Sequence, residues 1–290
     1  MIEYRIEKDF KLMDLLRQEL GFSARSVQRM HKAGNILVNK ERVSLYTKVH
    51  AGDILFYAPA EVPQNIEPEK GKLNILYEDE FLLALDKEAG LNMHPHKSRP
   101  KGTLANFVAQ YYFEQNLKIS VRFLSRLDRD TKGVVLLAKD HLTQSLLAKQ
   151  NELGQFKKRY LALCYGSPSL KEGIIDKSIG KVEANPILRR IDPKGQFAQS
   201  SFKVLEVYDK TALLELEPIT GRTHQLRLHC LSLGLPIVGD GQYFSEESLA
   251  YSKEHNLQEQ QLIAKEIEFI HPMNKKVMTI ISSYDLKTVT

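Results

Sequence analysis

The chain has 290 residues, 42% apolar and 27% charged, the composition of a globular protein long enough to bury a full core and to divide into a small and a larger domain. Its 41 Lys+Arg against 36 Asp+Glu leave +5, a mild excess that suits a polyanionic partner without requiring one. No leader pattern opens the chain and no run approaches the length of a membrane span, so the expectation is a soluble, cytoplasmic protein with no membrane partner.

The first sixty residues read as a compact unit. Leu12, Leu15, Leu16 and Leu20 recur at helical spacing, Gly21 is placed to end that helix and Ser23 to cap the next. After Gly34 the run NILVNKERV alternates as turn and strand, and residues 49–57 supply another short strand. On the second helix Arg25, Arg29 and Lys32 fall at i, i+4 and i+7 with Gln28 between them, so they share one face. By itself such a stripe is equally compatible with a solvated surface.

Residues 58–72 hold three prolines and few apolar side chains, the composition of a linker. The expected division is therefore 1–60, a linker over 61–72, and a larger domain over 73–290. In that domain strands are expected at 73–77, 81–86, 133–139, 159–165, 201–208 and 211–217. Helices are expected near 103–116, 141–153 and 223–233, with Gly154 and Gly234 placed to end the last two. Strands outnumber helices and several are joined by short turns, which predicts an α+β fold with a mixed, largely antiparallel sheet and flanking helices. No GxGxxG or GxxxxGK[ST] loop occurs, so nicotinamide, flavin and ATP are not expected as cofactors.

Three segments carry chemistry. RFLSRLDRDTKGVVLLAK at 122–139 delivers Asp128 to the mouth of an apolar strand, where a carboxylate is either a reaction centre or an ion-pair post. TGRTHQLRLHCLSLG at 220–234 places two arginines and two histidines around a helix start, and KKRYLALCYG at 157–166 alternates so that Tyr160, Ala162 and Cys164 share a strand face. A carboxylate isolated from water is pushed towards its neutral form unless a cation lies beside it, so an active Asp128 needs a buried arginine. The histidine pairs, His94 with His96 and His224 with His229, do not have zinc-site spacing, and no metal is expected. Cys164 and Cys230, outside any CxxC spacing, are expected to be buried free thiols.

These segments, with LALDKEAGLNMHP at 83–95 and IEFIHPMNKK at 267–276, resemble the RluA-type pseudouridine synthases over nearly all of the chain. SARSVQRMHKAGNILVNK within residues 10–57 resembles the S-four RNA-binding domain. The resemblance implies the pseudouridine synthase fold and a monomeric enzyme that isomerises uridines in structured RNA without a cofactor. Ribosomal RNA is the favoured partner and transfer RNA the second candidate. It further implies that Asp128 is the nucleophile, that Arg227 makes its ion pair with Leu226 in the pocket wall, and that Tyr160 stacks on the target base and takes a proton. Arg126 would fill the gap left by the flipped base, Arg222 would touch phosphate or brace its loop, and His224 would hydrogen-bond near the active arginine. Arg25, Gln28, Arg29 and Lys32 would meet RNA phosphates.

The sequence departs from the family pattern at Glu88, Ser125, Lys132 and Ile263, which defines one rival, an RNA-binding protein of the same fold without catalysis. A second rival, a glycosidase pairing Asp128 with Asp130, needs carboxylates that converge from opposite sides of a bond.

Overall fold

The computed structural model describes residues 1–22, 24–58, 66–96, 98–257 and 259–287. Ser23 and much of the expected linker lie outside the described residues. In chain order the first unit comprises β1 (Ile2–Arg5), β2 (Phe10–Lys11), α1 (Leu12–Asp14), a π-helical turn (Leu15–Glu19), α2 (Ala24–Lys32), β3 (Ile36–Val38), β4 (Lys48–Val49) and β5 (Ile54–Tyr57). Then follow β6 (Ile75–Glu78), β7 (Leu82–Lys87), α3 (Leu104–Glu114), β8 (Arg122–Phe123), β9 (Lys132–Ala138), α4 (His141–Glu152) and β10 (Lys157–Tyr165). The chain continues through β11 (Glu172–Asp176), β12 (Ile179–Val182), β13 (Asn185–Ile191), β14 (Gln199–Val207), β15 (Thr211–Pro218), α5 (Gln225–Ser232), α6 (Glu246–Glu254), β16 (Leu262–Ile270) and β17 (Val277–Ile281).

The regular helix expected over the first leucines is instead one α turn followed by a π turn, in which the Leu20 N–H reaches the Leu15 carbonyl at 3.1 Å. The wider turn stacks residues five apart, and it brings Leu12, Leu15, Leu16 and Leu20 to full burial. Each such leucine contributes about 2 kcal/mol of transfer free energy. On α2, Val27 and Met30 face this core, while Arg25, Gln28, Arg29 and Lys32 all lie on the exposed side.

The small unit packs directly on α4. Leu142 joins its core, Phe22 stacks on His141 at 4.2 Å, and Glu19 meets Lys149 at 2.8 Å.

A ten-stranded sheet organises the rest, in the order β11-β14-β15-β10-β16-β9-β7-β6, with β17 beside β16 and β8 beside β9. Among the named strands of the described residues only β16 and β9 pair in parallel, so the mixed, largely antiparallel sheet is as the strand spacing indicated. One sheet face packs on α3 and α5 through Val108, Tyr112, Leu226 and Cys230; the other covers Leu147 of α4 and Phe269 of β16. Asp140 caps α4 by accepting the Thr143 N–H at 2.9 Å, and Thr103 caps α3 within a capping box. No helix among the described residues is long and apolar enough to cross a membrane.

Candidate active site

β9, β16 and β10 are neighbours in the middle of the sheet, and the loop entering β9, the first turn of α5 and the strand β10 converge at one end of them. Their side chains line a cavity of about 400 Å³ that includes Ser125, Arg126, Asp128, Tyr160, Arg222, His224, Leu226 and Arg227. A pocket of that size admits a nucleobase with its ribose. Asp128 and the six residues singled out around it from the three segments therefore line the same space.

Asp128 lies in the loop between β8 and β9, its carbonyl accepting the Thr131 N–H at 3.2 Å. Its carboxylate is 28% exposed, and Arg227 Nη1 stands 3.5 Å from Oδ2. The expected ion pair with Arg227 is present, while the carboxylate is less shielded than expected and shares the arginine with a second carboxylate. The pocket mouth admits solvent, and the arginine fork is taken by another residue. Arg227 Nε and Nη2 donate to Asp240 Oδ2 and Oδ1, each at 2.7 Å, and Nη2 also donates to Gln242 Oε1 at 2.9 Å. The Asp240 side chain is fully buried and takes three further donors, the N–H groups of Gln242 and Tyr243 and the amide of Gln260. Burial alone would lower the Arg227 pKa; the Asp240 hydrogen bonds and charge, with Asp128 behind them, outweigh it and hold the guanidinium protonated. The Tyr243 ring covers the guanidinium at 4.7 Å.

Tyr160 on β10 is 8% exposed. Burial raises its phenol pKa and the negative charge of Asp128 raises it further, so the hydroxyl keeps its proton at neutral pH. Leu226 is buried in the wall beside it. Arg126 is exposed at the cavity edge, as is Arg222, which braces its loop by donating Nε to the Phe197 carbonyl at 2.9 Å.

His224 caps α5 in the left-handed region at φ 58°, a conformation that a non-glycine residue adopts at some cost. The turn aims its ring inward. Nδ1 meets the Tyr243 hydroxyl at 2.7 Å and Nε2 stands 4.0 Å from Asp128 Oδ2. Burial lowers its pKa against the opposing pull of Asp128, leaving a neutral ring at neutral pH. The Tyr243 hydroxyl accepts the Arg189 N–H at 2.8 Å and has its own proton for Nδ1, which puts the imidazole proton on Nε2, facing Asp128.

The remaining histidines have structural partners. His229 is tied between Ser200 Oγ and the Lys177 carbonyl, and His94 packs edge-on against Phe123 at 4.9 Å. Among the described residues no group of three or more His, Cys, Asp or Glu side chains is placed to hold a metal ion. Asp130 is gripped by its neighbour Arg129 at 2.9 and 3.1 Å and faces a different cavity from Asp128, so the opposed carboxylate pair of the glycosidase reading is not formed. The Ser125 hydroxyl is buried without a hydrogen-bond partner in the pocket wall.

Sequence reasoning missed Asp240, Tyr243, Gln260 and Lys87. Lys87 is 1% exposed and donates to the carbonyls of Glu88 and Arg129, so it holds the Asp128 loop from beneath. Burial pushes its pKa down to about 8, against the opposing charges of Asp130 and Asp128. The GDGQY run at 239–243 was the available signal for Asp240: a carboxylate between two glycines marks a turn that folds tightly against another backbone.

A sequence model of the RNA pseudouridylate synthase family matches residues 81–232. An uncharacterized RNA pseudouridine synthase of Bacillus subtilis, YhcT, is 35% identical over 92% of this chain and 87% of its own. Ribosomal large subunit pseudouridine synthase C of Vibrio vulnificus is 32% identical over 93% of this chain and 88% of its own. The solved structure of human RNA pseudouridylate synthase domain containing 1 superposes with a TM-score of 0.58 at 24% identity, covering 74% of this chain and 86% of that one, a likeness of fold. With a family match across more than half of its length and relatives above 30% identity along nine-tenths of it, the chain belongs to the RNA pseudouridylate synthase family and is an RNA-modifying isomerase of the pseudouridine synthase fold.

Proposed function

We propose that this enzyme isomerises specific uridines of ribosomal RNA, with Asp128 as the nucleophile. The observation that carries the reading is the convergence of Asp128, Arg227, Tyr160 and Leu226 on one cavity of about 400 Å³, with Arg126 and Arg222 at its edge. The ribosomal assignment draws on the relative named for the large ribosomal subunit; transfer RNA is the second candidate.

An enzyme acting on a base inside folded RNA must first take it out of the stack, at a cost of a few kcal/mol. Arg126, exposed at the rim, is placed to occupy the vacated position, its planar guanidinium both stacking and hydrogen-bonding. The flipped uracil then lies between Tyr160 and Leu226. Asp128 captures the nucleoside as the N-glycosidic bond breaks, the uracil rotates, and C5 joins the anomeric carbon where N1 had been. The C5 proton leaves and N1 gains one, so no atoms are lost and no electrons are exchanged. Arg227 presents its Nη1 to the Asp128 carboxylate at 3.5 Å while Asp240 holds the rest of the guanidinium in place.

Exposed Arg25, Gln28, Arg29 and Lys32 on α2 form a second, phosphate-facing patch. This supports a division into an RNA-holding unit over 1–60, a linker over 61–72 and a catalytic unit over 73–290. The test is to map pseudouridines across all cellular RNA with and without the gene. Loss of one or a few sites from large-subunit ribosomal RNA is expected; loss from transfer RNA alone would overturn the ribosomal assignment, and no loss anywhere would overturn the enzyme's proposed role.

A further inference from the structure

The segment entering β16 is approached by two loops at once. Gly133, at the start of β9, lies so close to β16 that a Cβ there would stand 2.3 Å from the Ala264 carbonyl oxygen. Gly239, which precedes Asp240, lies so close that a Cβ would stand 2.1 Å from the Glu259 carbonyl oxygen. Both glycines also have positive φ, at 119° and 76°. The loop that carries Asp128 and the turn that carries Asp240 therefore meet across residues 259–264. Gln260 is the side chain at their meeting point, 3% exposed.

Its two amide ends do different work. Oε1 accepts the Thr131 hydroxyl at 2.9 Å, and Nε2 donates to Asp240 Oδ2 at 3.0 Å. The carboxylate dictates that orientation, since a flipped amide would turn its oxygen on Asp240. Thr131 in turn gives its N–H to the Asp128 carbonyl at 3.2 Å, and Asp240 holds the arginine whose Nη1 faces Asp128 at 3.5 Å. The result is a closed ring: Asp128, Thr131, Gln260, Asp240, Arg227 and back to Asp128. Every other link in it runs within one loop or between Arg227 and a carboxylate. Gln260 ties Thr131 of the nucleophile's loop to Asp240, the anchor of the arginine.

We propose that Gln260 is a positioning residue, whose amide sets the register between Asp128 and the Arg227–Asp240 pair without touching the RNA. The inference rests on the isomerase reading above. A carboxamide accepts from a hydroxyl and donates to a carboxylate at once at neutral pH, which neither leucine nor an ionised glutamate of similar volume does, so the side chain's chemistry, and not its bulk, is what the ring requires.

That distinction supplies the test. In Gln260→Glu the introduced carboxyl can imitate the amide only while protonated, when its O–H serves Asp240 and its other oxygen serves Thr131. Once ionised it opposes Asp240 directly. The charges surrounding it are Asp240 and Arg227, with Glu259, Asp130 and Arg129 lining the adjoining cavity and Lys132 paired to Glu259 at 3.3 Å. Gln260→Leu keeps the bulk and supplies neither hydrogen bond.

Tritium release is measured over a range of total RNA concentrations up to saturation, the RNA labelled at uridine C5 and taken from cells lacking the gene, for wild type and both variants across a pH series. Gln260→Leu is expected to lower kcat by about ten- to hundredfold at every pH, the scale of an ångström's misplacement, with KM for RNA unchanged. Gln260→Glu is expected to recover kcat as the pH is lowered and to lose it by about tenfold per pH unit as the introduced carboxyl ionises, a limb absent from wild type. Circular dichroism at each pH confirms the folded state. The proposal is overturned if Gln260→Glu follows the wild-type pH profile, or if Gln260→Leu keeps wild-type kcat. An inactive wild type would instead overturn the isomerase reading, which separates the two failures.

Discussion

Arg227 gives Asp240 two hydrogen bonds of 2.7 Å and offers Asp128 a single nitrogen at 3.5 Å. The arginine's structural partner and the carboxylate it serves are thus different residues, and they should separate under mutation. Asp240→Ala leaves a buried guanidinium with only Gln242 and the longer contact to Asp128, so it is expected to cost about 3 to 5 kcal/mol of stability. Asp128→Ala removes a partly exposed carboxylate that is not the arginine's main partner and is expected to cost less than about 1 kcal/mol. Urea denaturation of both variants decides it; equal losses would mean that Asp128 also anchors the fold.

Tyr160 combines a packed ring with a hydroxyl at the pocket. Tyr160→Phe keeps the packing, so stability and RNA affinity should stay near wild type. If the phenol moves a proton during the isomerisation, kcat falls by about a hundredfold or more. Tyr160→Ala should instead lose about 3 to 5 kcal/mol of stability through the cavity it opens. A Phe variant with full kcat would remove the proton-transfer role and leave only stacking.

Lys87 makes stability depend on pH with a definite sign. Its folded-state pKa, about 8, lies below the ordinary 10.5, so between those values the unfolded chain binds more protons and stability rises with pH. Below pH 8 the cost of burying the charge is fully present. Relative to Lys87→Met, wild type should gain up to about 3 kcal/mol across that window. A stability difference that is flat from pH 8 to 10.5 would contradict the assignment.

The α2 face should act on binding alone. Replacing Arg25, Arg29 and Lys32 by alanine is expected to weaken RNA affinity and reduce the slope of log affinity against log salt by about 2 to 3. Turnover at saturating RNA should stay intact. Collapse of kcat at saturation would contradict the division of labour between the two units.

Much of this was legible in the sequence because the relevant signals are local. The buried run after Asp128, the alternation around Tyr160 and the helix start before Arg227 each follow from periodicity within a dozen residues, and β9, β10 and α5 lie where that periodicity placed them. The resemblance then assigned roles that spacing alone left open. What stayed hidden was the anchor of the arginine. Asp240 and Gln260 are separated by 20 residues from each other and lie beyond α5, and nothing in their neighbours' hydropathy distinguishes a buried pair from a surface turn. The π turn at Leu15–Glu19 was likewise invisible, since Leu12, Leu15, Leu16 and Leu20 satisfy a regular helix equally well and only packing against β3, β5 and α4 widens it.

The Asp128 carboxylate is the group on which the proposed chemistry turns, and Asp128→Asn removes its charge with the least disturbance of shape. Tritium release from RNA labelled at uridine C5 is measured alongside RNA affinity and thermal stability. Turnover is expected to fall to background with affinity and stability preserved; an Asp128→Asn protein that still releases tritium at a wild-type rate would show that another group performs the chemistry.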